Sequence, residues 1–360
     1  MKKIITFQFF KNDLLGGITA GIVALPLALA FGVQSGMGAA AGLYGAIFLG
    51  IFAALFGGTA QQVSGPTGPM TVVSTLTVAT AIATTGSLEA ALGVILLTFL
   101  LAGILELLIG VLGYGKYIRY MPHPVVSGFM SGIGVIIILL QIYPLMGHTA
   151  PKTIPEVFTN LATPLAAINW QAVGIAFGAI LTIYLFPRLT TAVPSLLVAL
   201  LLLTGVAYGL NFQIPLIGEI PTGLPRIETG LFQALTLNSI PQIIGPALTL
   251  ALLGAIDSLL TSVVADNLTR TRHDSNRELI GQGLGNSVAA LFGGIPGAGA
   301  TMRTVVNIRS GGKTNLSGVV HGLILLAILL GLGRYAAYIP KAVLAGILIT
   351  VGIACVLAGD

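Results

Sequence analysis

Ala53-Ala54-Leu55-Phe56-Gly57-Gly58 recurs letter for letter as Ala289-Ala290-Leu291-Phe292-Gly293-Gly294. After each copy comes a Gly/Pro-rich break and a similar restart, Gly68-Pro69-Met70-Thr71-Val72-Val73 in one case and Ala300-Thr301-Met302-Arg303-Thr304-Val305-Val306 in the other. A third pair keeps the order. Leu112-Gly113-Tyr114-Gly115-Lys116-Tyr117, with Tyr120, Pro122, Val125 and Gly128, matches Leu330-Gly331-Leu332-Gly333-Arg334-Tyr335, with Tyr338, Pro340, Val343 and Gly346. The two halves are colinear copies of one unit. In a membrane chain, paired Gly/Pro interruptions at matched points of an internal repeat point to a transporter's binding site.

Composition makes this a membrane chain. Of its 360 residues, 55% are apolar and only 8% charged, too few charges to clothe a soluble domain of that size. Apolar runs near the ~20 residues that span a bilayer recur throughout. The 48 glycines fit close helix contact in lipid, where small residues let backbones approach. Cys355 stands alone, which excludes an intrachain disulfide framework and a cysteine-based metal cluster. The first apolar run, Leu14 to Phe31, is long for a cleaved leader and reads as a retained helix.

The pattern predicts spans at 14–32, 40–57, 67–84 (short and broken), 88–112, 124–145, 168–187, 193–211, 241–264, 278–294, 300–310 (short), 314–332 and 337–357. Connections 146–167 and 212–240 are expected to hold short surface helices or strands. The stretch Asp266 to Glu278 reads as a charged hinge. The positive residues do not gather into one nucleic-acid-binding patch. Lys2, Lys3, Lys11, Lys116, Arg119, Arg188, Arg270, Arg272, Arg277, Arg309 and Lys313 fall on one side; Lys152, Arg226, Arg334 and Lys341 fall on the other, with Arg303 within the membrane. The positive-inside rule then predicts a multi-pass protein of the plasma (inner) membrane with a cytoplasmic N-terminus.

The first copy of the hexapeptide ends span two and the second ends span nine. An odd separation of seven spans inverts the second copy, so the fold class is an all-α polytopic membrane protein built on a seven-plus-seven inverted repeat. By that symmetry two further spans are expected after Asp360. The stretches Ser64-Gly65-Pro66-Thr67-Gly68-Pro69 and Ile295-Pro296-Gly297-Ala298-Gly299-Ala300-Thr301 cannot be helical throughout. Unwound backbone at membrane depth survives only against protein or a water-filled cavity. Inversion would bring the two short helices together at the midplane, each offering free N–H groups and a partial positive charge to a small anion.

A carboxylate inside the membrane points to a functional site. Asp257 sits deep in span eight, and Thr261 lies one turn on along the same face. With the free carbonyls around Gly299, Ala300 and Thr301 they would form an oxygen-only cluster suited to a hard cation such as Na⁺. Glu106 in span four is either a structural hydrogen-bond acceptor or proton-linked. Arg303 either adds positive charge to the anion site or anchors its helix from behind. Gln34, Gln61 and Gln62 either meet an oxyanion or cap helix ends, and His321 reads as a packed polar residue. No zinc-protease, nucleophile-elbow or hydrolase carboxylate pattern is present, so no enzyme and no organic cofactor are expected.

Leu25-Pro26 through Ala30-Phe31-Gly32, Gly42-Leu43-Tyr44-Gly45, Gly58-Thr59 with Gly65-Pro66-Thr67-Gly68-Pro69, and Gly311-Gly312-Lys313-Thr314 together resemble the sulfate permease family of anion transporters, over the whole chain. The resemblance is to its sodium-dependent bicarbonate branch. It implies a core domain (approximately 14–123 and 241–340), a gate domain (approximately 124–240 and 337–360), frequent homodimers and a STAS domain beyond the residues given. It implies an anion site at Thr67, Gly68, Pro69 and Met70 facing Ala300 and Thr301, and a Na⁺ site at Asp257, Thr261, Gly299, Ala300 and Thr301. Ala60-Gln61 stands where the family usually has Ser and a basic residue, which weakens sulfate as substrate. The expected function is Na⁺-coupled bicarbonate uptake. The rivals are a proton-coupled sulfate or dicarboxylate permease and an uncoupled anion channel or voltage-responsive protein. A nucleobase permease would need a second acidic residue on span ten, which has none.

Overall fold

The computed structural model describes residues 9–118, 123–151, 154–190, 193–218, 220, 223, 225–234 and 240–357. Lys2, Lys3, Arg119 and Lys152, and Tyr120 and Pro122 of the third repeat block, lie outside the described residues. The helices are α1 (Phe10–Gln34), α2 (Ala39–Phe56), α3 (Gly68–Thr85), α4 (Leu88–Val111), α5 (Gly115–Ile118), α6 (His123–Leu145), α7 (Ile154–Thr159), α8 (Ala162–Ala166), α9 (Trp170–Leu185), α10 (Ser195–Gly209), α11 (Ile240–Thr269), α12 (Ser275–Leu291), α13 (Thr301–Arg309), α14 (Asn315–Ala336) and α15 (Lys341–Leu357). Each predicted span has its helix. Among the described residues six, by length and composition, can cross a membrane: α1, α2, α4, α9 continued to Arg188, α11 from Gln242, and α14. α10, α15 and the Met130–Leu145 part of α6 are shorter and apolar.

Local chemistry sets the helix ends. Gly86 closes α3 with φ 89°, a left-handed conformation that favours glycine. Ser87 then caps α4, its hydroxyl accepting from Ala90 N at 3.2 Å. Asn169, Asp274 and Thr314 cap α9, α12 and α14 in the same way. α3 is rich in Thr and Ser, and their hydroxyls return to carbonyls one turn back, Thr71 to Thr67, Ser74 to Met70 and Thr75 to Thr71. That makes a polar sequence tolerable inside a bundle. The connections 146–167 and 212–240 carry α7, α8, a short 3₁₀ turn at Thr229–Ala234 and an antiparallel bridge between Leu216 and Pro340.

The charged hinge is shorter than expected. α11 runs on to Thr269 and α12 begins at Ser275, so Glu278 is helical and only 2% exposed. Asp266 also belongs to α11, where it pairs with His273 at 2.7 Å.

Two sets of packing partners emerge. α12 lies between α4 and α2, α1 lies against α14 and α2, and α11 runs along α4. α15 packs on α6 and α9, and α9 on α10. Glycines make the tight crossings possible. A Cβ on Gly283 of α12 would overlap the Leu107 backbone of α4, and one on Gly42 of α2 would overlap the Ala28 carbonyl of α1. Apolar packing residues dominate elsewhere, so the polar groups that are buried stand out.

Candidate functional site: two broken helices and an oxygen cluster

The two Gly/Pro breaks meet. Ser64–Gly65 and Ala298–Gly299 pair as a two-stranded antiparallel ribbon, with Ser64 opposite Gly299 and Gly65 opposite Ala298. Ala300 N donates to Val63 O at 2.9 Å, and Val63 N to Thr304 Oγ1 at 3.0 Å. The ribbon satisfies backbone that would otherwise stand unpaired at membrane depth. α3 and α13 leave it from opposite strands, and neither first turn is capped by a side chain. Both helix N-termini therefore keep free N–H groups and their partial positive charge.

α11 supplies the polar wall. Thr261 donates to the Gly299 carbonyl at 2.9 Å, so the 2.8 Å contact between the Thr261 and Thr301 hydroxyls has Thr301 as donor. Ser258 Oγ accepts from Gly299 N at 3.0 Å. The Ala300 carbonyl takes the first helical bond of α13, from Thr304 N at 2.9 Å. Asp257 is one turn from Thr261; its Oδ2 is buried without a hydrogen-bond partner. Thr67 lies close enough to interact with Asp257, yet its own buried hydroxyl meets no partner within hydrogen-bond geometry. The structure thus brings Thr261, Gly299 and Thr301 into contact and leaves a carboxylate oxygen and a hydroxyl free beside them.

The anion-side residues take distinct positions. Gly68 faces α6, where a Cβ would sit 2.7 Å from Ile137 Cδ1. Pro69 occupies the first turn of α3, where its missing N–H costs nothing. The Met70 side chain turns towards α11, its Cε 3.3 Å from where a Gly254 Cβ would stand, so its backbone N–H is what remains at the helix start.

Arg303 is 1% exposed, and its guanidinium lies behind the ribbon against Gly65 and donates to the Pro66 carbonyl. That is the anchoring geometry, although its charge still acts on Asp257. Glu106 accepts from Asn286 Nδ2 at 2.9 Å. Asn286 also clasps Gly297 through both backbone groups, at 2.9 and 3.0 Å, so Glu106 braces the second break through it. Gln62 donates to Glu278 and accepts from Ser262 at 2.9 Å, while Gln61 donates to the Lys313 carbonyl. Gln34 sits apart from the ribbon, in a cavity near the far end of α3. His321 is fully buried beside Gly50.

Sequence reading missed the brace around Glu278. This carboxylate accepts from Gly58 N and Thr59 N, both at 2.9 Å, and from Gln62 and Gln282, both at 2.8 Å. Gln282 also donates to Ser64 Oγ on the ribbon. The signal was present: Glu278, Gln282 and Asn286 recur every four residues, one polar stripe along α12. A second missed carboxylate, Asp13, accepts from Lys313 N and Thr314 N at 2.7 and 2.9 Å, and ties the start of α1 to the end of the α13 segment.

Comparison with known proteins places this site in a family. Residues 10–357 match the model of the sulfate permease family. The chain is 46% identical over 359 residues to the "Bicarbonate transporter BicA" of a Synechocystis strain, and 47% identical over 358 residues to that of a Picosynechococcus strain. Both alignments cover 97% of this chain but 62% of the relative, so the chain spans less than two thirds of either protein's length. The solved transmembrane domain of a cyanobacterium bicarbonate transporter BicA superposes with a TM-score of 0.92 at 45% identity, covering 98% of this chain and 90% of that one. The repeat, the ribbon between two broken helices and these alignments lead to one conclusion: the chain belongs to the sulfate permease family.

Proposed function

We propose that this chain is the membrane part of a Na⁺-coupled bicarbonate symporter that works by alternating access. The observation that carries the reading is the meeting of two uncapped helix N-termini beside the orphaned Asp257 oxygen and the Thr261–Gly299–Thr301 oxygens. Substrate anion is held between the starts of α3 and α13, beside Thr67 and Ala300, by the free N–H groups of the first turns from Gly68 and Met70 and from Thr301. Sodium enters as co-substrate at Asp257, Thr261, Gly299, Ala300 and Thr301, where hard oxygen donors suit it. Each ion lowers the electrostatic cost of the other, and the coupling is reciprocal, typically about 1–3 kcal/mol.

In this reading, approximately 14–123 and 241–340 form the core that carries both ions, and approximately 124–240 and 337–360 form the gate. Core moving against gate exposes the site to alternate faces. The assignment extends to a plasma-membrane homodimer with its N-terminus in the cytoplasm. The names of the 46% and 47% identical relatives support bicarbonate as the substrate.

One feature favours a second reading. A buried carboxylate oxygen without a hydrogen-bond partner also suits a proton, so Asp257 would serve equally in a proton-coupled sulfate or dicarboxylate permease. Labelled-bicarbonate uptake into proteoliposomes separates the two. An inward Na⁺ gradient should stimulate uptake, and excess sulfate should leave it unchanged. Uptake blind to Na⁺ but driven by a pH gradient would transfer the assignment to the proton reading. Currents far above transporter turnover would make it a channel.

A further inference from the structure

A cavity of about 320 Å³ lies away from the ribbon. Its walls come from α1, α3, α6 and α15, so it straddles the two packing sets. Its α3 lining begins at Thr75, seven residues beyond Gly68, which is about 10 Å along the helix at 1.5 Å per residue. Along α3 between the two sites lie the buried Met70, Thr71 and Ser74. It opens towards the face opposite the N-terminus of α1, the external face in the orientation proposed above.

Its chemistry is that of an oxyanion site. Gln34, on the last residue of α1, is 8% exposed, and both its amide nitrogen and its amide oxygen are buried without a partner. Buried polar groups are nearly always paired, so an amide left open on a cavity calls for a ligand. Gln141, on α6, is 4% exposed and lines the same space, as do His148 and Lys341. Lys341 begins α15, where its backbone N–H is already used by the Pro215 carbonyl at 2.9 Å. Among the described residues its ammonium has no acidic partner and no acidic side chain lines the cavity. One cation and two primary amides thus line a mainly apolar pocket, together with Ser35, Thr75, His148 and Thr149, the usual make-up of a small-ligand site. This accounts for Lys341 as a positive residue on the side where positives are rare.

We propose that this cavity is a second binding site for a small oxyanion, an outer station that holds the anion between external water and the central site. The inference rests on the transporter reading, and it adds to that reading a site held jointly by core and gate. Moving one body against the other would then open or close the station.

Two variants test it in proteoliposomes without touching the central site. Lys341→Gln and Gln34→Leu should each raise the external KM for bicarbonate at least fivefold and leave kcat within about twofold. Gln34→Leu should also raise the thermal midpoint in detergent, since it replaces an unpaired amide with an apolar group of similar size. Unchanged KM in both variants would overturn the proposal, and so would a lowered midpoint with unchanged KM in Gln34→Leu, which would make the amide structural. A binding readout stands beside the kinetics. In a Cys355→Ser background, Gln141→Cys should react with an impermeant anionic thiol reagent from the external side. Bicarbonate should slow that reaction severalfold, and chloride at equal ionic strength should not. Equal rates with and without oxyanion would sink the site. Protection by sulfate but not bicarbonate would uphold the station while refuting bicarbonate as substrate, so the two failures are distinguishable.

Discussion

At Gly299 the chain has no space for even a methyl group. A Cβ there would overlap the Gln62 amide, which is itself held by Glu278, and would stand 3.2 Å from Ser258 Cα. Neither neighbour is the loose end of a flexible side chain. Gly299→Ala is therefore expected to cost about 1–3 kcal/mol or more in folding and to displace the Thr261 contact. Thermal unfolding in detergent and Na⁺-stimulated uptake should both fall; a variant with parental stability and uptake would refute the crowding argument. Asp257 makes the converse case, a residue whose side chain has too few partners. Asp257→Asn keeps the shape and removes the charge, and should abolish the Na⁺ stimulation of uptake. Retention of Na⁺-stimulated transport in that variant would remove Asp257 from the cation site. Asp257 was visible in the sequence because an acid inside an apolar span is rare. Ser258 and Ser262 were not, since a serine in a span is common and only the folded ribbon reveals what it meets.

Among the elements, α12 shows how a helix can brace a site without touching substrate. Its stripe of Glu278, Gln282 and Asn286 meets the end of α2, the ribbon and the second break in turn. Four donors converge on the Glu278 carboxylate, two of them backbone N–H groups. Glu278→Ala removes the acceptor of the Gly58, Thr59 and Gln62 donors, while Gln282 keeps Ser64, at about 1–3 kcal/mol for each buried group left unpaired. The expected outcome is a large fall in thermal midpoint, with Glu278→Gln intermediate because its amide can satisfy only part of the set. A Glu278→Ala midpoint within error of the parent would show that the clamp carries no stability. Span positions and the two breaks were legible in the sequence, since each depends on residues close in the chain. The role of Glu278 was not, because its partners at Gly58 and Thr59 lie over 200 positions away.

For the whole molecule, the telling contact is α3 against α6, where Gly68 at the proposed anion site faces Ile137. If core moves against gate, this seam must shear in every cycle. With Cys355 replaced by Ser, a Gly68→Cys, Ile137→Cys pair should be bridged by a short cleavable bifunctional thiol reagent. Bridging should stop uptake, and cleavage should restore it to the level of the unbridged pair. Continued uptake by the bridged protein would contradict movement along this seam. The same geometry explains why the outer cavity escaped sequence reading. Gln34, Gln141 and Lys341 lie on three helices far apart in the chain, and no spacing rule connects them.

By itself, the sequence determined the duplication, the helical spans, the two Gly/Pro breaks and the isolated carboxylate at Asp257, because composition and local backbone preference act over a few residues. Tertiary structure alone decided that Ser64 pairs with Gly299, that Arg303 lies behind the ribbon, and that Glu278 is a brace rather than part of a hinge. The reason is physical. Backbone and polar groups buried within a bilayer must find partners, and which partner each one finds depends on which helices the folded bundle sets side by side.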